Sequence, residues 1–256
     1  MAKEPKPLFQ PSIIFKNFNM VFSSTGIAYL SLLISMALLT YRFFIYWKEK
    51  KDVTSKFFIY FGICFTLFAF FKTITGLFFI NNIQVLVAST VFASFIEGLA
   101  AAFVAYLIIY LKFPRFRPII GFWVFFFLGL LATILTITLK PVSPSIEPTG
   151  AINWGFSFES PILFYYSLFR ALIILITFIP LIFILFQQYL DTTDTLVKKR
   201  SFGLGLLLLV GIIIGFIDFL FIQIFHLDAI SRDIAMIFLS TLLFVVIFLT
   251  QKPTSS

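Results

Sequence analysis

Four ionisable residues, Lys72, Glu97, Arg170 and Asp218, stand inside the long apolar runs of this 256-residue chain. An ion in hydrocarbon is costly, so each marks a ligand pocket, a proton or ion relay, or a structural ion pair that locks helix register. Two are positive and two negative, as required if every buried ion is to meet a counter-ion that offsets its desolvation. Counted from the run ends, Lys72, Arg170 and Asp218 lie roughly 12 to 14 Å below one membrane surface and Glu97 roughly 20 Å below it. All four therefore fit one layer in that half of the bilayer. Order and depth predict that Lys72 pairs with Glu97 and Arg170 with Asp218.

The residues around these charges point them inward. Thr90, Ser94, Glu97 and Ala101 fall at helical spacing, a small and polar stripe suited to close helix packing. Gly211, Gly215, Asp218 and Ile222 form a second stripe, and Gly211-x-x-x-Gly215 is a small-residue packing pattern. Gly76 lies one turn from Lys72. Tyr165, Tyr166, Gln223 and His226 stand near the same ends of their runs and are candidates for the rim of a pocket. Interfacial tyrosines also occur for bilayer reasons alone, and a histidine at a span's end is commonly solvated.

Other chemistry is poorly represented. One histidine excludes H-E-x-x-H and an all-His zinc site, and neither a G-x-S-x-G elbow nor a P-loop is present. Cys64 is the only cysteine, which excludes an intrachain disulfide and a multi-thiolate metal site. No catalytic motif nominates an enzyme, and no metal or cofactor is expected.

The elements that must hold the four charges are plain. The chain is 61% hydrophobic and 12% charged, with a mean hydropathy of +1.07, whereas soluble domains carry about 25% charged residues. Apolar runs fall at about Val21 to Trp47, Phe57 to Ile80, Ile83 to Leu111, Ile119 to Leu139, Ile162 to Leu190, Gly203 to Leu227 and Ile234 to Thr250. Only a helix satisfies its own backbone in lipid, and the runs lack the alternation of barrel strands. The expected fold is all-α: a single bundle of seven transmembrane helices at residues 21–251, with an extramembrane tail at 1–20 and a short tail at 252–256. The tail is expected to be interfacial near Ile13 to Phe18.

Orientation follows from lysine and arginine in the connections. Arg42, Lys48, Lys50, Lys51, Lys56, Lys112, Arg115, Arg117, Lys198, Lys199, Arg200 and Lys252 fall on one side; Lys3, Lys6, Lys16, Lys140 and Arg232 fall on the other. Twelve against five predicts the N-terminus outside and the C-terminus in the cytoplasm of a cell (plasma or inner) membrane. The net charge of +8 then reads as topology and attraction to anionic headgroups at the cytoplasmic face, rather than nucleic-acid binding. The fourth connection, Lys140 to Pro161, faces outward, and its alternating Trp154, Phe156 and Phe158 fit a short strand, a lid or, on the plainer reading, residues in the headgroup layer.

These residues favour a receptor- or sensor-like, partner-binding membrane module with a charged outward-half pocket. It would take an extracellular small ligand of anionic or zwitterionic character and signal through a cytoplasmic partner. A small transporter or proton-coupled carrier using Glu97 and Asp218, and a structural or assembly protein whose ion pairs only hold the bundle, are the alternatives. The architecture is similar to that of rhodopsins, but Ile234 to Thr250 contains no lysine to carry retinal, and no family is assigned.

Overall fold

The computed structural model describes residues 23–155 and 160–251. The tail lysines Lys3, Lys6 and Lys16, the Ile13 to Phe18 segment, Phe156, Phe158 and the 252–256 tail with Lys252 lie outside the described residues. The chain forms α1 (Ser24–Lys50), α2 (Val53–Phe78), α3 (Ile83–Lys112), α4 (Pro118–Leu139), a two-stranded antiparallel hairpin of β1 (Ser145–Ile146) and β2 (Ile152–Asn153), α5 (Pro161–Asp191), α6 (Thr195–Gly215), a π-helical segment (Phe219–Ile224) and α7 (Ala229–Thr250). Six of these, α1 to α5 and α7, are long and apolar enough to cross a membrane. The protein is therefore read as a multi-pass membrane protein.

Helix starts are written locally. Ser23, Asp52, Asn82, Ser160, Asp194 and Asp228 each accept a backbone N–H from the first turn they precede, filling one of the orphan donors at a helix N-terminus. Pro118 opens α4, where its missing N–H costs nothing. At the exposed N-cap of α7, the hydrogen bonds from Ser231 hold the Asp228 carboxyl below its ordinary range.

Glycine sets the closest helix approaches. A Cβ built on Gly98 would lie 2.5 Å from the Gly129 Cα, so α3 and α4 touch backbone to backbone. Gly26 and Gly76 do the same for α1 and α2, with a Cβ on Gly76 lying 2.8 Å from the Gly26 Cα. Gly203 of α6 receives Thr250 of α7. Van der Waals packing of small residues is the main attraction available between helices in lipid. Gly211 and Gly215 depart from the expected packing pattern: a Cβ on either meets nothing within 4 Å. They border a void.

Candidate functional site

The void is a cavity of about 380 Å³ along the bundle interior, walled by α1, α2, α3, α5, α6, Met236 of α7 and the turn above α6. Lys72, Glu97, Arg170 and Asp218 all line it, together with Tyr29, Tyr166 and Trp154. Further along, its wall is made of side chains such as Leu39, Phe43 and Phe58. One end is thus charged and the other apolar.

The ions do not pair as order and depth predicted. Arg170 of α5 donates to the Glu97 carboxylate of α3, and its other terminal nitrogen reaches the Tyr166 hydroxyl at 3.4 Å. That hydroxyl lies 2.5 Å from Thr136 of α4, which donates to Ser94 of α3 at 3.2 Å. The polar stripe on α3 therefore joins three helices through one network.

Asp218, above α6, pairs with Arg232 at 2.5 Å instead of with Arg170. Arg232 also binds its neighbour Asp233 at 2.6 Å, and both residues are only 1% exposed. The apolar run opens at Ile234, which places Arg232 in a connection. The helix instead begins at Ala229 and carries both residues inward on its first turn. Asp228-Ala-Ile-Ser, a capping residue three positions before a serine at the head of an apolar run, is the signal that would have placed them there. Asp233 accepts hydrogen bonds from Ser24 at 2.6 Å and Thr25 at 2.7 Å, so the cluster binds α7 to the start of α1.

This cluster also anchors the hairpin. Arg232 donates to the Ile152 carbonyl at 2.9 Å, and the Ile152 N–H donates to the Thr25 hydroxyl at 2.8 Å. Glu147 accepts the Ala229 N–H at 3.3 Å. Two residues past Ile152, Trp154 is 2% exposed. Its ring lies edge-on to Tyr29, with centroids 6.5 Å apart, and 3.4 Å from the Lys72 ammonium. The headgroup-layer reading of Trp154 is therefore overturned: the hairpin folds inward and Trp154 covers the charged end.

Lys72 itself is 5% exposed and donates to Thr90 at 3.0 Å. Among the described residues it has no carboxylate within salt-bridge distance. Of the rim candidates, Tyr166 lines the cavity, whereas Tyr165, Gln223 and His226 do not. Tyr165 is 66% exposed, and His226, at φ +52°, forms the exposed turn between the π-helical segment and α7. Cys64 is buried in the core. Among the described residues, no group of three or more His, Cys, Asp or Glu side chains is placed to hold a metal ion.

The chain matches no protein-family model and no curated protein.

Proposed function

We propose that this protein is a receptor-like membrane module of seven spans whose cavity binds a small ligand against the ionic layer. The observation that carries this reading is the cavity itself: about 380 Å³, with the charged residues gathered at one end. Ligand sites typically occupy roughly 300 to 1,000 Å³ with a few convergent polar groups in an apolar wall. Ion pairs that served packing alone would leave no void beside them, because interiors close to near-crystalline density.

In this reading α6, sixth in chain order, completes the seven spans. Lys198, Lys199 and Arg200 sit in its early turns, and from Ser201 the chain is apolar through the π-helical segment to Ile224, broken only by Asp218 and Gln223. That length rises on the order of 30 Å, enough for the hydrocarbon core. The excess of Lys and Arg supports an outside N-terminus, in the plasma or inner membrane of the cell. The ligand would seat beside the Arg170–Glu97 and Arg232–Asp218 pairs, shift helix packing between two states, and present the basic inner loops to a partner. A proton-coupled carrier is less well supported, since Glu97 and Asp218 are both already held by guanidinium groups.

Ala171 lines the cavity on α5, one residue past Arg170. Filling the void with Ala171→Trp is expected to remove a ligand without unfolding the bundle. Native mass spectrometry of wild-type protein extracted gently from its membrane should show a small-molecule adduct, and Ala171→Trp should lack it. The variant's own thermal midpoint should match or exceed wild type, since filling a void contributes about 0.5 to 2 kcal/mol. Wild-type protein that carries no adduct would sink the reading.

A further inference from the structure

We propose that the cavity takes a single-chain amphiphile with an anionic oxygen head, a long-chain carboxylate or phosphate monoester, which enters from the bilayer between α5 and the outer half of α6. This rests on the cavity being a ligand site and adds the class of ligand and its route.

The shape sets the chain. Tyr29 and Phe43 on α1, Phe58 and Lys72 on α2, and Leu204 and Asp218 at α6 line the cavity in pairs fourteen residues apart, a length of roughly 21 Å. About 380 Å³ of room drawn out over that length suits one extended alkyl chain, whereas a diacyl phospholipid carries two.

The donors set the head. The Lys72 ammonium has three protons and, among the described residues, one hydrogen-bond acceptor, Thr90, with the Trp154 ring face against another side. The Trp154 indole N–H, beside it, is buried and has no acceptor among the described residues. Buried donors are rarely left unpaired, and each one stranded costs about 1 to 3 kcal/mol. Two adjacent donors short of acceptors fit an anion with at least two oxygens. Arg170 and Arg232 are committed to Glu97, Asp218 and Asp233, which leaves Lys72 as the cation for the head.

The route follows from where the wall is open. The lining residues that are also exposed are Phe164 and Leu168 on α5, and Gly215 and Phe219 opposite them. Nearer the inner end the same two helices are closed: a Cβ on Gly205 would lie 3.2 Å from the Phe186 ring, and Tyr189 meets Phe202 with centroids 5.2 Å apart. Trp154 and the anchored hairpin cover the charged end. Lipid therefore has access at the side, while water is screened from above.

The test uses the full chain in phosphatidylcholine nanodiscs and a palmitate analogue with a diazirine next to its terminal methyl, with labelled peptides read by mass spectrometry. Labelling is expected on the deep wall, around Phe58 and Leu204. Palmitate should compete, hexadecanol about tenfold more weakly for want of the charge-assisted bonds, and butyrate not at all. Lys72→Gln should cut deep labelling about tenfold. Gly215→Trp, set in the gap, should abolish it, and Leu209→Trp, on the exposed face of the same helix, should leave it intact. Labelling confined to lipid-facing residues overturns the proposal, as does equal competition by hexadecanol, which removes the anionic head. Equal competition by butyrate overturns the bilayer route in favour of a water-borne anion. An adduct on wild-type protein without deep palmitate labelling would refute the amphiphile class alone, whereas wild-type protein without any adduct refutes the ligand site beneath it.

Discussion

Arg232→Ala is expected to destabilise the protein by about 3 to 5 kcal/mol, the cost of leaving buried charge unpaired. Its guanidinium contacts both Asp218 and Asp233, the Ile152 carbonyl and the Thr25 hydroxyl. Asp233 is 1% exposed, so no water replaces what is lost. The effect reaches past the ion pairs, because the same side chain holds the hairpin that carries Trp154. Thermal unfolding should show a large drop in midpoint, and Trp154 emission should move to the red even in the folded protein. Arg232→Lys should recover only part of the loss, since one ammonium cannot reproduce a planar fork serving four acceptors. An unchanged midpoint and an unchanged emission spectrum in Arg232→Ala would remove Arg232 from its central place in this fold.

One substitution, glycine to alanine, is expected to change stability in opposite directions at two positions. At Gly98 the new methyl would sit 2.5 Å from the Gly129 Cα, backbone that can yield only by moving a helix. Overpacking of this kind costs about 1 to 3 kcal/mol. At Gly211 nothing lies within 4 Å, so Gly211→Ala keeps only the helix-propensity gain of roughly 1 kcal/mol. Midpoints measured side by side should therefore fall for the first and rise for the second. A fall at both positions would mean that Gly211 is in contact with another helix and that no void lies beside it.

The sequence made the spans legible because apolar length is one-dimensional information. Six runs became long apolar helices with ends near the expected positions. The sixth run, Gly203 to Leu227, became an α-helix, a π-helical segment and a turn ending in an exposed Leu227. The interior charges were legible for the same reason. Which ion meets which was not, because depth along a helix says nothing of how far neighbouring helices are rotated or which of them are adjacent. Glu97 finds its partner two helices on in the chain, on α5, which packs directly against α3. Arg232 and Asp233 were hidden by a hydropathy boundary at Ile234 that came five residues after the helix itself began. The glycine pattern misled in an instructive way: Gly211-x-x-x-Gly215 has the spacing of a helix contact but borders open space, while the tight crossing uses single glycines on two helices, a signal visible only once both are placed.

The ionic layer is also electrically balanced. Lys72, Arg170 and Arg232 face Glu97, Asp218 and Asp233, three formal positive charges against three negative. A transmembrane voltage exerts about 2.3 kcal/mol per elementary charge per 100 mV over the full membrane, and on a set that sums to zero it has no net charge to move. A monoanion seated beside Lys72 would break that neutrality and give the occupied layer a charge of its own. Occupancy would then feel the membrane field although the empty site does not, and the dissociation constant of such an anion should change with applied potential by a fraction of that full-membrane figure set by the depth of the layer.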